Sequence, residues 1–477
     1  MKTTEPSQLV PQDAAASRNL SLTRQLAEWY LPLRYEDVPA DVIAASKLRV
    51  LDVLGLSLVP VNAAFGRSVR GAVLEMGTGK GSRMLGFGDE TAPMLAAVVN
   101  GSMAHALEFC DTHNETMTHA SSPAVTTAVT LGESLDLNGK ELLTACAGGT
   151  EVTCRIAVAS PGQFHKHGFH TTSVNGAFGA AYIASRLFKL DASTTTHAAG
   201  IVGSQAAGLM ECWSDGTWSK FLHPGWAAHC GISSALLAKN GYTGPGTVLE
   251  GRFGLFRSHV QDPEYKFDFA RTIAALGSVW ENRKISFKPF PTAHVIHPFI
   301  DSILALYEKG LRGEHVAKIV CPVAEYMIPI VCEPREEKIA PASDWHGRVS
   351  LPYTLAEALY HGKLGARGYA EESIRNPAIL ALARKITYEV DPSAPGREKF
   401  KGWVIAYTTD GGRLEHVEPA NRGSFDNPMS TEDIRSKFKE NASLTLPDSQ
   451  VERIIDAVDN LERLANVRDL VTLCIRR

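Results

Sequence analysis

At 477 residues the chain exceeds what one ordinary hydrophobic core encloses, so two domains are expected. Hydrophobic residues at 44% against 21% charged exclude a disordered chain, and a net charge of −4 without a Lys/Arg cluster excludes a nucleic-acid partner. Eight cysteines stand singly with no CxxC spacing, so neither a zinc ribbon nor a redox dithiol is signalled.

The first stretch, MKTTEPSQLVPQDAAASRNLS, is polar and lacks the apolar core of a secretory signal. Its first ~15–20 residues are expected to fray. No apolar run approaches the roughly 20 residues needed to cross a bilayer. A cytoplasmic protein with no membrane partner is expected.

From Leu20 to about Ser278 helix follows helix: TRQLAEWYLPL, PADVIAASKLRVLDVLGLSLV, SSPAVTTAVTLGESL and GKELLTACAGGTEVTCRIA share 3.6-residue apolar spacing. Small residues recur within this region (AGGTEV, NGAFGAAYIAS, GSQAAGLM), which suits closely approaching helices. After Trp280 the pattern changes. An apolar helix, HPFIDSILALYEKG, precedes β-rich HVAKIVCPVAEYMIPIV, and SLPYTLAEALYHGKL predicts another helix. A further alternating segment centres on TTDGGR, where Asp410-Gly411-Gly412 suits a hairpin turn. Helical patterns return in STEDIRSKFKENAS and DSQVERIIDAVDNLERLANVRDL. The fold is therefore expected to be mainly α: a large all-helical domain, and a smaller α+β domain inserted before the C-terminal helices. The expected boundaries are 1–280, 281–420 and 421–477.

Chemistry concentrates in HALEFCDTHNETMTH, residues 105–119, with three histidines, two glutamates, an aspartate and a cysteine. His105, Glu108 and Thr112 fall at i, i+3 and i+7, one face if a helix runs through them. A metal site would have to use His113, Glu115 and His119, but the spacing is not HExxH and offers no fourth ligand. No metal is expected.

Four histidines precede small-residue helices. His119 leads into ASSPAVTTAVTLGESL, with Ser122 as cap and Pro123 first; His223 leads into PGWAAHCGISSALLAKNG; His297 leads into PFIDSILALYEKG; His170 leads into TTSVNGAFGAAYIASRLF. A helix N-terminus attracts carboxylates and disfavours a protonated imidazole. A neutral histidine beside a captured carboxylate can remove a proton from the adjacent carbon. Lys220, three residues before His223, is placed to pair with a second carboxylate or to donate a proton.

In these stretches the sequence resembles the MmgE/PrpD family. The resemblance runs through HALEFCDTHNETMTHASSPAV, GFHTTSVNGAFGAA, SQAAGLMECWSDGTWSKFLHPGWAAHCGISSALLAKNGYTGPGTVLEG, KPFPTAHVIHPFIDS and RLEHVEPANRGSFDNPMS, in family order over nearly the whole chain. It implies a helical domain built from both chain ends, an α+β lid, a homodimer, no metal or organic cofactor, and an active site in the cleft. The family's D-x-x-D-T motif becomes Glu108…Asp111-Thr112, with Glu replacing the first Asp. Its following histidine matches His119, and its lysine and histidine match Lys220 and His223. His294 and His297 both lie in the lid's histidine region. The lid tyrosine of the family's decarboxylases has no counterpart, where this chain reads CEPREEKIAP. The usual His-Pro-Ser is His119-Ala120-Ser121.

The resemblance implies a lyase for a small di- or tricarboxylate, working by proton transfer alpha to a carboxylate. Dehydration of a 2-hydroxy acid such as 2-methylcitrate stands first. Epimerisation of an iminodisuccinate-like amino-dicarboxylate, decarboxylation of a cis-aconitate-like acid and a catalytically silent scaffold are the alternatives. His119, Lys220, His297 and Asp111 form the expected catalytic set, with His119 or His297 as base. Glu108, Thr112, His170, His223 and His294 are expected to hold substrate.

Overall fold

The computed structural model describes residues 20–77 and 79–476; the expected frayed segment before Leu20 lies outside them. The chain is mainly α, with a small α+β part. Helices Leu22–Tyr30, Ala40–Leu58, Pro93–His105, Ser121–Ser134, Gly139–Ala157, Thr171–Leu187 and Ser219–Lys239 build the first part. Local chemistry starts several of them: Ser21 accepts from Arg24 N, and Asn138 with Glu141 forms a capping box. Ser121–Ser134 and Thr171–Leu187 are buried around nearly their whole circumference. Such helices need small residues, because two backbones can then close on each other. At the crossing of Pro93–His105 with Ser219–Lys239, a Cβ on Gly101 would lie 2.6 Å from the Gly225 Cα.

One hydrophobic core joins residues between Leu22 and Trp280 to residues between Phe438 and Cys474. The C-terminal helices Thr431–Ala442, Asp448–Asp459 and Val467–Leu473 thus share a core with the first half of the chain. Phe438 seats against Gly55 of the Ala40–Leu58 helix, and Lys437 beside it pairs with buried Asp52 at 2.7 Å.

A second core runs from Phe290 to Ala406. It sits on a four-stranded sheet in the order Ile386–Val390, Val316–Val323, Gly402–Thr408, Arg413–Glu418. The first pair is parallel and the others antiparallel. Tyr407 pairs with Arg413 around the TTDGGR turn, where Gly411 takes the φ of +88° that its lack of a Cβ allows. Helix His297–Glu308 packs on the two hairpin strands. The expected β character beyond Val323 does not continue: residues 328–332 coil into a single wide helical turn. Pro329 has no N–H to give a strand ladder.

All eight cysteines are free and buried. Among the described residues no helix is long and apolar enough to cross a membrane.

Phe438→Ala removes a fully buried ring from the joint between the chain's two ends. It is expected to cost about 3–5 kcal/mol, read as a lower urea midpoint. An unchanged midpoint would mean that the C-terminal helices add nothing to the first core.

Candidate active site

The helix expected to carry His105, Glu108 and Thr112 on one face stops at His105. Glu108 instead adopts a left-handed φ of 52°, and Thr112–His113 pairs as a short strand with Ile285–Ser286. That pairing brings Lys288 to Glu108. The Lys288 ammonium donates to the Glu108 carbonyl at 3.0 Å and lies 3.8 Å from its carboxylate. Lys220, in the first turn of Ser219–Lys239, is ion-paired with the same carboxylate. All three side chains are buried. Burial pushes the Glu108 carboxyl upward, but the two ammonium groups prevail and hold it well below the usual carboxylate range. Burial lowers the Lys288 pKa, partly offset by Glu108.

Around this cluster lies a cavity between the two cores. Glu108, Thr112, His119, His165, His170, Lys220, Lys288 and His294 line it, with Met117, Met210, Trp213, Ile330, Val349 and Phe400 forming apolar wall. A more open groove along Ala40–Leu58 has its charges already paired, Arg283 with Asp41 at 2.6 Å, and carries no histidine.

His119 is fixed on one side only. Its Nδ1 donates to the Asp111 carbonyl at 2.8 Å, and Thr112 Oγ1 sits 3.0 Å from the same nitrogen. A carbonyl can only accept, so Nδ1 carries the hydrogen and Nε2 of the neutral ring carries the lone pair. Burial, reinforced by Lys288, His105 and Lys220, holds its pKa well below 6.5. Two hydroxyls at the start of helix Thr171–Leu187 tie the loop down: Thr172 accepts from His119 N at 3.0 Å, and Thr171 donates to the Met117 carbonyl at 3.0 Å.

His294 is the same tautomer held by its other end. Its Nε2 accepts from the Asn421 amide at 3.0 Å, while Asn421 Oδ1 accepts from Asn114 at 3.4 Å and Phe400 N at 3.5 Å. The hydrogen therefore resides on Nδ1, which has no partner among the described residues. His170, the residue before helix Thr171–Leu187, has its Nδ1 2.9 Å from His223 Nδ1.

The other expected site residues stand apart from the cavity. His297 is buried against Phe290 and His294 and gives its Nε2 hydrogen to the Thr292 carbonyl at 3.2 Å. Asp111 faces Arg49 at 3.7 Å and accepts from Ser121 N at 3.3 Å. It thereby caps the helix beginning at Ser121, which has no cap of its own from Ala120 or Ser122. His223 and Pro224 lie inside a helix that begins at Ser219, not ahead of one. His113 bonds Glu281 at 3.2 Å and Glu115 pairs with Arg271 at 2.6 Å, which explains those polar residues structurally.

Two lining groups were given no role by the sequence, His165 and Lys288, and His105 stands behind the cavity against His119 and His170. His105 and Lys288 stand inside quoted stretches, but only the strand pairing and the helix end bring them inward. His105, His119 and His170 offer nitrogens within 4.8 Å of one another. Zinc bonds of about 2.0–2.1 Å would need those nitrogens about 3.3–3.4 Å apart. Two ammonium groups flank the cluster, and His105 is oriented by the Cys110 thiol at 3.0 Å, not by a carboxylate. The setting suits the oxygens of an anion better than a dication.

Residues 24–268 match the MmgE/PrpD N-terminal domain and residues 290–463 match the MmgE/PrpD C-terminal domain. The chain belongs to the MmgE/PrpD family. Its full-length relatives in that family include the cis-aconitate decarboxylase of Aspergillus terreus, 26% identical over 98% of both chains. Human cis-aconitate decarboxylase is 28% identical over 95% of this chain and 94% of its own. A cis-aconitate decarboxylase-like protein of Aspergillus oryzae is 26% identical over 95% and 97%. Within the MmgE/PrpD cavity of this chain no tyrosine is among the lining residues.

Burial holds His105, His119, His170, His294 and His297 well below 6.5, so the folded rings are neutral near pH 6. The unfolded chain takes up protons on them below pH 6.5, so it binds more protons than the folded state and stability falls as pH drops through that value. Each ring contributes a slope of about 1.4 kcal/mol per pH unit at full effect. His297→Gln is expected to flatten the slope by that amount in urea titrations between pH 6.5 and 4.5. An unaltered slope would show that His297 is not buried neutral.

Proposed function

We propose that the protein is a lyase needing no cofactor, which acts on a small polycarboxylate by proton transfer at a carbon beside a carboxylate. One observation carries this: His119, with its free lone-pair nitrogen, lines the same cavity as the Glu108–Lys220–Lys288 cluster. A substrate carboxylate entering there meets two ammonium groups and one carboxylate, so the cluster has a cation to spare. His119 is the base. Lys220 and His294 Nδ1–H are the available acids. Glu108 holds Lys220, while Asp111 and Thr112 act on the reaction by fixing the His119 tautomer. His170 lines the cavity and His223 orients it. His297 supports His294 from behind.

The relatives move decarboxylation ahead of the dehydration that the motifs alone put first. For an unsaturated tricarboxylate of the cis-aconitate type, the carbon–carbon bond breaks and carbon dioxide leaves. Its electron pair moves into the adjacent conjugated system, and Lys220 or His294 protonates the resulting carbanion. The apolar wall of Met210, Trp213, Ile330 and Val349 suits a departing neutral molecule. Dehydration is the second reading, favoured by the tyrosine-free cavity and by Glu108 in place of the usual aspartate. In it His119 removes the proton alpha to a carboxylate, and Lys220 protonates the leaving hydroxyl to give water. The two cores meeting at the cavity support the division into a helical domain and a lid. Exposed Trp218, Leu222 and Trp226, spaced four apart from the N-cap into helix Ser219–Lys239, support packing against a second copy. Light scattering should then give twice the chain mass; a monomer overturns that assignment.

Incubation with cis-aconitate, 2-methylcitrate, citrate and iminodisuccinate in deuterated water tests the reaction. Release of carbon dioxide with deuterium in the product is expected; water loss supports the second reading. Exchange without either loss indicates an epimerase, and no reaction on any acid fits a silent scaffold. Lys220→Ala is expected to lower kcat/KM by about 10²–10⁴ on the acid that reacts, and His119→Asn to do so where the reaction begins with proton removal. Because His119 titrates well below 6.5, the acid limb of the kcat/KM profile should also lie below that pH. Full activity in either variant removes the role given to that residue.

A further inference from the structure

We propose that His165 and Trp213 form a second oxygen-binding subsite, one that receives a carboxylate of the substrate remote from the carboxylate held by Lys220 and Lys288. The inference rests on the polycarboxylate reading above and names which groups recognise the far arm.

Both side chains line the cavity, with rings 6.5 Å apart. Neither nitrogen of His165 has a hydrogen-bond partner, and neither does Trp213 Nε1, although all three atoms are covered. A buried donor left without a partner costs about 1–3 kcal/mol. Elsewhere His105, His170 and His294 spend one nitrogen on a neighbour, whereas His165 spends none. Its ring is held in place by stacking on His170, at 5.9 Å between centroids and 9° between planes.

None of the described residues bonds these donors. Met117, Met210, Ile330 and Val349 present only apolar atoms or a weakly accepting sulfur. Burial, with Lys220 and Arg397 nearby, lowers the His165 pKa to about 3, so the ring is neutral and bears one N–H. That N–H and the indole N–H are two fixed donors from two different elements, the short turn Gln163–Lys166 and the turn Cys212–Asp215. A carboxylate accepts two such hydrogens, and the cationic field of Lys220 and Arg397 favours its charge. An alkyl arm at the same place would leave both donors unpaired. The pair therefore selects an acidic arm over an alkyl one.

Two unreactive probes separate the possibilities by calorimetry. Propane-1,2,3-tricarboxylate carries the far carboxylate; 2-ethylbutanedioate has a methyl in its place. The wild type is expected to prefer the first by about tenfold or more, the worth of a hydrogen bond to a charged group. His165→Phe should weaken the tricarboxylate by about tenfold, leave 2-ethylbutanedioate unchanged and erase the preference. Trp213→Phe should reduce the same preference, and His165→Gln, which retains a donor, should restore most of it. Unchanged preference in both Phe variants overturns the subsite while the polycarboxylate reading stands. Equal weakening of both probes also overturns it, since a purely structural role would do that. If the wild type binds neither probe, the polycarboxylate reading itself fails and the subsite falls with it.

Discussion

Everything in the cavity depends on one buried ionic cluster, in which Glu108 is shared by the ammonium groups of Lys220 and Lys288. Three charges taken out of water carry a large desolvation penalty, and such a cluster survives only where the geometry satisfies it. Here the partners come from three separate pieces of chain: a left-handed turn after one helix, the first turn of another, and a segment tied down by a two-residue strand pair. The cluster thus joins the first core to the beginning of the second. It also places charge in a cavity whose other polar lining is Thr112 and four histidines and whose remaining wall is apolar.

The histidines around the cluster are not equivalent, and their partners decide what each can do. A carbonyl acceptor leaves His119 with a lone pair on its far nitrogen, whereas an amide donor leaves His294 with a hydrogen. One ring thereby offers a lone pair and the other a hydrogen without either being charged. Both depend on residues outside the cavity, Asp111 and Asn421. Low pKa values from burial and from the lysines keep the rings neutral across the physiological range. The same burial makes these rings a stability liability in acid.

Much of the architecture was legible before any coordinates. Apolar periodicity marked the helices, and Gly101 and Gly225 show why the small residues recur, since their helices touch backbone to backbone. Asp410-Gly411-Gly412 marked a hairpin that forms as expected. Errors arose where a residue's role depended on chain far away. His105, Glu108 and Thr112 have helical spacing, yet the helix stops at the first of them because the following residues pair with Ile285–Ser286. Pro224 reads as a helix start, yet the helix already runs from Ser219.

By itself the sequence determined the helical character, the family motifs and the residue types available for proton transfer, because periodicity and spacing are local properties. Only the tertiary structure decided which of those residues meet. His294 and His297 are three apart in the chain; burial against Phe290 removes one from the cavity, and a bond from Asn421 orients the other at its edge. Lys288 and His165 gained their place through pairings and stacking that no neighbouring residue encodes. The charge, tautomer and accessibility of an ionisable group depend on what packs around it, and that is a property of the folded chain.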